Sequence, residues 1–276
     1  MPNPEPLFVK SNGLTLRVWR WAAEAPPLLV VHGITNSARG WDFVCRELRG
    51  DLDVYAVDLR GHGESDKPEA GYHTSDYAAD LAGLIQALDV APARVLGHSL
   101  GARASARLAA DHPGLVERLV LVDPPSEGRY PWQVKEAMDG FLAGVRATRE
   151  RGEAAVRAQY PHWTDEQVAA RVEGHRRMSD RVMLDPVERY EPGSVLDDLP
   201  RIQCPTLFVY GDVGHKGPRP GIVKPETAEQ AGRLLKHGQL VFVPGTGHMV
   251  PWDDLAGFMA PVRSFLLGRA TPSRPS

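Results

Sequence analysis

Val95-Leu96-Gly97-His98-Ser99-Leu100-Gly101 is an apolar run that stops at a serine with a glycine two residues to either side. A serine on a tight strand-to-helix turn requires glycine at those flanks, because a Cβ there would collide with the turn or with the neighbouring strand. The pattern is short, and any α/β protein can carry it at a strand-loop-helix joint. Its surroundings decide the reading. Ala93-Arg94-Val95-Leu96 reads as a short buried strand and Ala102 to Ala110 as an Ala-rich helix, the order that presents a nucleophilic serine. Ser99 is the candidate nucleophile.

Upstream, Leu7 to Lys10 and Leu14 to Trp21 are predicted strands joined at Asn12-Gly13, a strong hairpin signal. Leu28-Leu29-Val30-Val31 follows Pro26-Pro27 as the continuous apolar run of a parallel strand covered on both faces, and leads into His32-Gly33-Ile34-Thr35. A helix from about Trp41 to Leu48 precedes the strand Asp53 to Asp58. The glycine-rich loop after it, Leu59 to Ser65, lacks the Gly-Lys-Thr ending of a phosphate loop. Thr74 to Leu88 is a predicted helix capped by a threonine or serine, with Leu81, Leu84, Ile85 and Leu88 apolar. Downstream, Val116 to Val122 is a buried strand that ends in Asp123-Pro124-Pro125.

Residues 125 to about 198 hold no buried-strand signal, carry many charges and include the helical stretches Trp132 to Arg151 and Thr164 to Met178, so they read as a helical insertion. Alternation resumes with the strand Pro205 to Tyr210, a Gly/Pro-rich loop to Pro225, a helix to about Leu235 and the strand Gln239 to Val243. A final helix runs from Asp253 to Leu267. Strand and helix alternating in this way argue for a mostly parallel sheet with helices on both faces, whose ligands sit beyond the carboxyl ends of the strands. His32, Asp58, Ser99, Asp123, Asp212 and His248 all fall at or just past such ends.

With 276 residues, 42% hydrophobic and 24% charged, the chain fits one large globular domain or a domain with an insertion. A formal net charge of -3 and a pI near 6.4 imply no basic face, so nucleic acid is not an expected partner. Cys45 and Cys204 are too few for a disulfide framework and lack the spacing of a zinc or redox site. Met1 to Lys10 does not read as a signal peptide, and no stretch approaches the ~20 apolar residues of a membrane helix. The expected setting is the cytoplasm and the expected partner a small-molecule substrate, with no cofactor, no metal and no membrane.

His32-Gly33, the loop Asp58-Leu59-Arg60-Gly61-His62-Gly63-Glu64-Ser65, Gly97 to Gly101 and Gly247-His248, in that order, resemble the α/β-hydrolase fold superfamily over almost the whole chain. The resemblance implies a mostly parallel eight-stranded sheet flanked by helices. It divides the chain into a core of residues 1–124 and 199–270, a helical cap or lid at 125–198 and a disordered tail at 271–276. Within the superfamily, His32 to Thr35, Gly97 to Arg103, Leu119 to Pro125, Trp163 to Gln167 and Gly247 to Leu255 resemble the N-formylmaleamate deformylases. The stretch from His32 through Ser65 to Glu69 and on to Arg103 is also similar to the acetamidomethylene-succinate hydrolases. Both families cleave amide-type bonds in acyclic products of N-heterocycle degradation.

A serine hydroxyl is a poor nucleophile at its own pKa and needs a base within hydrogen-bond reach. His248, on the loop after the last strand, is that candidate, and the chain order serine, acid, histidine is the one this fold demands. His98 is too close to Ser99 on the turn to swing round as its base and is expected to pack the loop. His32 and His62 are expected to shape loops. Two residues compete as the acid. Most superfamily members place it three residues past the glycine matching Gly211, where this chain has Gly214; Asp212 is near but out of step. Asp123, one strand earlier, stands where the two amide-cleaving families place theirs and is preferred, although many relatives end that strand in an Asp that is not the acid.

The backbone N–H groups of Ile34 and Leu100 are the expected oxyanion donors. An acidic substrate calls for arginine, whose planar fork holds a carboxylate by two bonds. Arg129, Arg103, Arg146 and Arg149 are available, with Arg129 foremost; His32 and Trp163 complete the substrate-binding candidates, while Trp132, Trp163 and Trp252 also suit a core. The expected function is a serine hydrolase that cleaves an N-formyl or N-acyl group from an open-chain acid through an acyl-enzyme. Alternatives are a carboxylesterase or carbon–carbon bond hydrolase with the same triad, and a non-catalytic ligand-binding member, which an intact Ser99 and His248 argue against.

Overall fold

Asn12 and Gly13 take the positive φ (48° and 78°) that a two-residue hairpin turn needs. They join β1 (Glu5–Ser11) to β2 (Leu14–Trp21) in antiparallel register, with Ser11 opposite Leu14. The apolar run after Pro26 is β3 (Pro27–Val31), and α1 (Asp42–Leu48) carries the chain to β4 (Asp53–Val57). α2 (Thr74–Ala87) then leads to β5 (Ala93–His98), and α3 (Leu100–Asp111) to β6 (Val116–Val122). Between β6 and β7 (Thr206–Tyr210) the chain runs through α4 (Pro131–Arg151), α5 (Glu153–Gln159), α6 (Asp165–Arg177) and α7 (Arg181–Glu188). α8 (Pro225–Leu234), β8 (Gly238–Phe242), α9 (Val250–Asp253) and α10 (Leu255–Leu266) complete it. The computed structural model describes residues 3–126, 131–190 and 192–269, with backbone alone at 131 and 132.

The eight strands form one sheet in the order β1-β2-β4-β3-β5-β6-β7-β8, antiparallel through β1, β2 and β4 and parallel from β4 to β8. Because strand side chains alternate between faces, Leu29 and Val31 join one core with Leu81 and Leu84 of α2 and Ala104 of α3. Leu28 and Val30 join a second core with Val44 of α1 and Phe258 and Val262 of α10. Both faces are covered, as the uninterrupted apolar reading of these strands requires. The carboxyl ends of β3, β5, β6, β7 and β8 therefore lie along one rim, where the polar strand-end residues collect. No described helix is long and apolar enough to cross a membrane.

Three local features differ from expectation. α2 is capped by His73, not by Thr74 or Ser75, and the Asp76 carboxylate accepts from His73 N at 3.0 Å. The C-terminal helix is split at Asp254, whose carboxylate accepts from Gly257 N at 2.9 Å and starts α10 anew. α5 and α7 are added to the two helices read in the insertion. Gly152, at φ 58°, ends α4 and starts α5, and α7 spans 8 residues with Pro186 inside it, which hides a helix in the sequence. The tail at 271–276 lies outside the described residues.

Candidate active site

Packing dictates the glycines around Ser99. A Cβ on Gly97 would lie 2.5 Å from Gly101 O and 2.7 Å from Ala102 N; one on Gly101 would lie 2.5 Å from His32 O and closer still to Val31 O. The first turn of α3 thus presses directly on β3 and β5. Ser99 between them is held at φ 53°, ψ -118°, a conformation that a residue with a Cβ adopts only under constraint, and its N–H donates to Val122 O at 2.9 Å. The hydroxyl is thereby lifted above the sheet at the N-terminus of α3, where backbone N–H groups lack intrahelical acceptors.

His248 follows β8, its own N–H held by Arg219 O at 2.8 Å. Its Nε2 is 3.1 Å from Ser99 Oγ and its Nδ1 is 2.6 Å from Asp123 Oδ2. Since a carboxylate only accepts, Nδ1 carries the proton and Nε2 is free to accept from the serine hydroxyl. Asp123, fully buried at the end of β6 and at φ 41°, also accepts from Ile222 N at 3.0 Å. Burial pushes its carboxyl up to about 7, against the N–H groups of Ile222, Val223 and Gly211, which favour the charged form. Asp212, the alternative acid, turns Oδ1 into its own loop, accepting from Gly214 N at 2.7 Å. The carboxylate that meets His248 is Asp123.

Ser99 and His248 open onto a cavity of about 400 Å³, which Ile34 and Leu100 also line. Met138 and Phe141 of α4 and Val182 of α7 form much of its apolar wall, so the helical segment between β6 and β7 covers the serine. Two guanidinium groups, Arg103 and Arg219, border the cavity, and among the described residues no carboxylate does. Arg219 also lies over the Phe141 ring at 4.8 Å.

Several expected substrate contacts lie elsewhere. His32 is fully buried, and its ring is used by the backbone: Leu59 N donates to Nε2 at 3.1 Å, so Nδ1–H donates to Gly33 O at 2.8 Å. It shapes the loop and does not face the cavity. Trp163 is 4% exposed, stacked on Tyr160 at 4.1 Å and on Trp252 at 5.9 Å, and belongs to the core behind the site. Arg146 and Arg149 both pair with Asp180, at 3.1 and 2.6 Å. Arg129 lies outside the described residues. His98 donates from Nε2 to His248 O at 2.9 Å, and burial brings its pKa down to about 3, so it packs as a neutral ring. Arg219 was not anticipated, because it sits in a Gly/Pro-rich loop without periodicity. Among the described residues, no group of three or more His, Cys, Asp or Glu is placed to hold a metal.

The α/β hydrolase fold family matches this chain over residues 26–255. The chain is an α/β hydrolase. N-formylmaleamate deformylase of Pseudomonas putida is 32% identical to this hydrolase over 260 residues, covering 94% of this chain and 95% of its own. The 2-(acetamidomethylene)succinate hydrolase of Mesorhizobium japonicum is 32% identical over 251 residues, covering 86% of each chain. Among solved structures, the N-formylmaleamic acid deformylase of Pseudomonas putida S16 superposes with a TM-score of 0.80 at 29% identity, over 94% of this chain and all of that one. As a member of this family the hydrolase is an enzyme acting on amide or ester bonds.

Proposed function

We propose that this hydrolase removes a small N-formyl or N-acyl group from an open-chain carboxylic acid through an acyl-enzyme. The observation that carries the reading is the cavity above Ser99 and His248, apolar in its walls and bordered by Arg103 and Arg219 with no carboxylate among the described residues. Such a cavity favours a small substrate that brings its own negative charge. The names of the two relatives, a formylated maleamate and an acetamido succinate, describe molecules of that class.

In this reading Ser99 Oγ attacks the acyl carbonyl as its proton passes to His248 Nε2, and Asp123 holds the imidazole in the accepting tautomer and balances its charge. The backbone N–H groups of Ile34 and Leu100 take the oxyanion. The C–N bond breaks as His248 returns the proton to the leaving nitrogen. Water then attacks the acyl-serine with His248 as base, releasing the small acid and regenerating the hydroxyl. Arg103 and Arg219 hold the substrate carboxylate, and residues 125–198 act as the cap, with the core at 1–124 and 199–270.

Formate release from N-formylmaleamate, set against p-nitrophenyl acetate hydrolysis, tests the reading. Amide cleavage that is lost in Ser99→Ala is the expected result. Fast ester cleavage with no formate release would instead identify a carboxylesterase, and full turnover in Ser99→Ala would overturn the serine mechanism.

A further inference from the structure

The turn that carries Ile34 is bound at successive carbonyls. Asn36 N donates to Gly33 O at 3.0 Å and closes the turn, His32 Nδ1–H donates to the same oxygen, and His62 Nε2 lies 2.7 Å from Ile34 O. These partners come from the core and its strand-end loops. The next carbonyl, Thr35 O, is bound from α6 in the helical insertion: Arg171 Nη1 donates to it, and His175 Nε2 donates at 3.1 Å. Arg171, Gly174 and His175 stand at i, i+3 and i+4, on one helix face. At Gly174 the helix comes so close that a Cβ would sit 3.2 Å from Ser37 Oγ.

Arg171 is not explained by charge pairing. It is 5% exposed, and the groups that favour its charge are the Thr35 carbonyl and Tyr160, not a carboxylate. A guanidinium taken out of water without a carboxylate is costly. It also borders the small recess against Ser99, Ile34 and His248 that Arg219 shares. What it reaches is the carbonyl that follows Ile34, beside the groups around Ser99.

We infer that Arg171 is a positioning residue. With His175 it grips the Thr35 carbonyl and fixes the turn that aims Ile34 N–H at the oxyanion. The cap helix is in this way part of the oxyanion hole as well as a cover over the substrate. The inference rests on the reading above, in which Ile34 N–H is one of the two anion donors.

The test compares kcat and KM of Arg171→Met, His175→Leu and His175→Gln on whichever of the two substrates above the enzyme turns over, with Ser99→Ala alongside and circular dichroism to confirm folding. A displaced donor is expected to act on the chemical step, since misplacement by ~1 Å can lower rates ~100-fold. Arg171→Met is expected to lower kcat about 10- to 100-fold with KM within about twofold. His175→Leu is expected to lose about tenfold, and His175→Gln, whose amide N–H can reach the same oxygen, to recover most of that. A folded Arg171→Met with wild-type kcat overturns the inference, and so does one whose KM rises while kcat holds. If Arg171→Met does not fold, the two His175 variants decide, and equal kcat in both overturns it. An inactive Ser99→Ala beside a fully active Arg171→Met refutes this inference alone, whereas an active Ser99→Ala refutes the serine mechanism beneath it.

Discussion

Asp123→Asn separates the two acids that the chain offers. Asp123 is surrounded by donors: Oδ2 accepts from His248 Nδ1 at 2.6 Å and from Ile222 N at 3.0 Å, and the N–H groups of Val223 and Gly211 also favour its charged form. An amide NH₂ has no acceptor there in either orientation. Turned toward His248, it forces the proton onto Nε2, so the ring can no longer accept from Ser99 at 3.1 Å. Turned away, it sets donor against backbone donor and leaves the imidazolium of the transition state without a counter-charge. A triad that loses its acid in this way loses ~10⁴ in kcat, or about 5.4 kcal/mol at 1.36 kcal/mol per tenfold. Asp212→Asn changes only a contact to Gly214 N within its own loop and should stay within about twofold, since surface changes are usually worth less than ~0.5 kcal/mol. Steady-state kcat of both purified variants on the amide and on p-nitrophenyl acetate gives the answer. Asp123→Asn within tenfold of wild type, or Asp212→Asn as inactive as expected of Asp123→Asn, would refute the assignment.

Since burial raises the Asp123 carboxyl and couples it to His248, kcat/KM should fall about tenfold per pH unit on the acid side of the pair's apparent pKa, measured as a pH–rate profile. Burial holds the His175 pKa down to about 2, below its unfolded value of ~6.5, so on acidification the unfolded chain takes the proton first and stability falls below pH ~6.5. His175→Gln removes that penalty and should gain about 2 kcal/mol on wild type between pH 7 and pH 5, read from urea midpoints at the two pH values. Gly101→Ala places a Cβ 2.5 Å from His32 O, against backbone that cannot yield as a side chain would, and should cost about 3 kcal/mol in urea unfolding. Arg219→Met leaves its carbonyl on His248 N and removes the guanidinium; KM for the N-formyl acid should rise roughly 10- to 100-fold while that for p-nitrophenyl acetate moves less than threefold.

The sheet was legible because buried parallel strands announce themselves as unbroken apolar runs. Leu28 to Val31 and Val116 to Val122 lie within a residue of their observed ends. Ser99 was legible as a candidate because its tight turn demands glycine at 97 and 101, and His248 because it follows the last strand in the order serine, acid, histidine. Side-chain direction was not. His32 and Asp123 both stand just past strand ends, yet one ring binds only backbone and the other carboxylate reaches the base. Trp163 lies in a segment that resembles the deformylases and serves the core. Arg171 and Arg219 left no local signal, because their roles depend on elements that meet only in the folded chain: α6 against residues 33–37, and the loop after β7 against α4.

Arg219 joins the loop that carries His248 to a helix over the cavity. Its carbonyl holds the backbone of His248, and its guanidinium rests on the Phe141 ring at 4.8 Å. A change at position 141 in α4 would therefore free the guanidinium while the carbonyl stays on His248 N, so variants without an aromatic there should lose grip on the acid substrate, seen in KM, and keep their turnover of the ester.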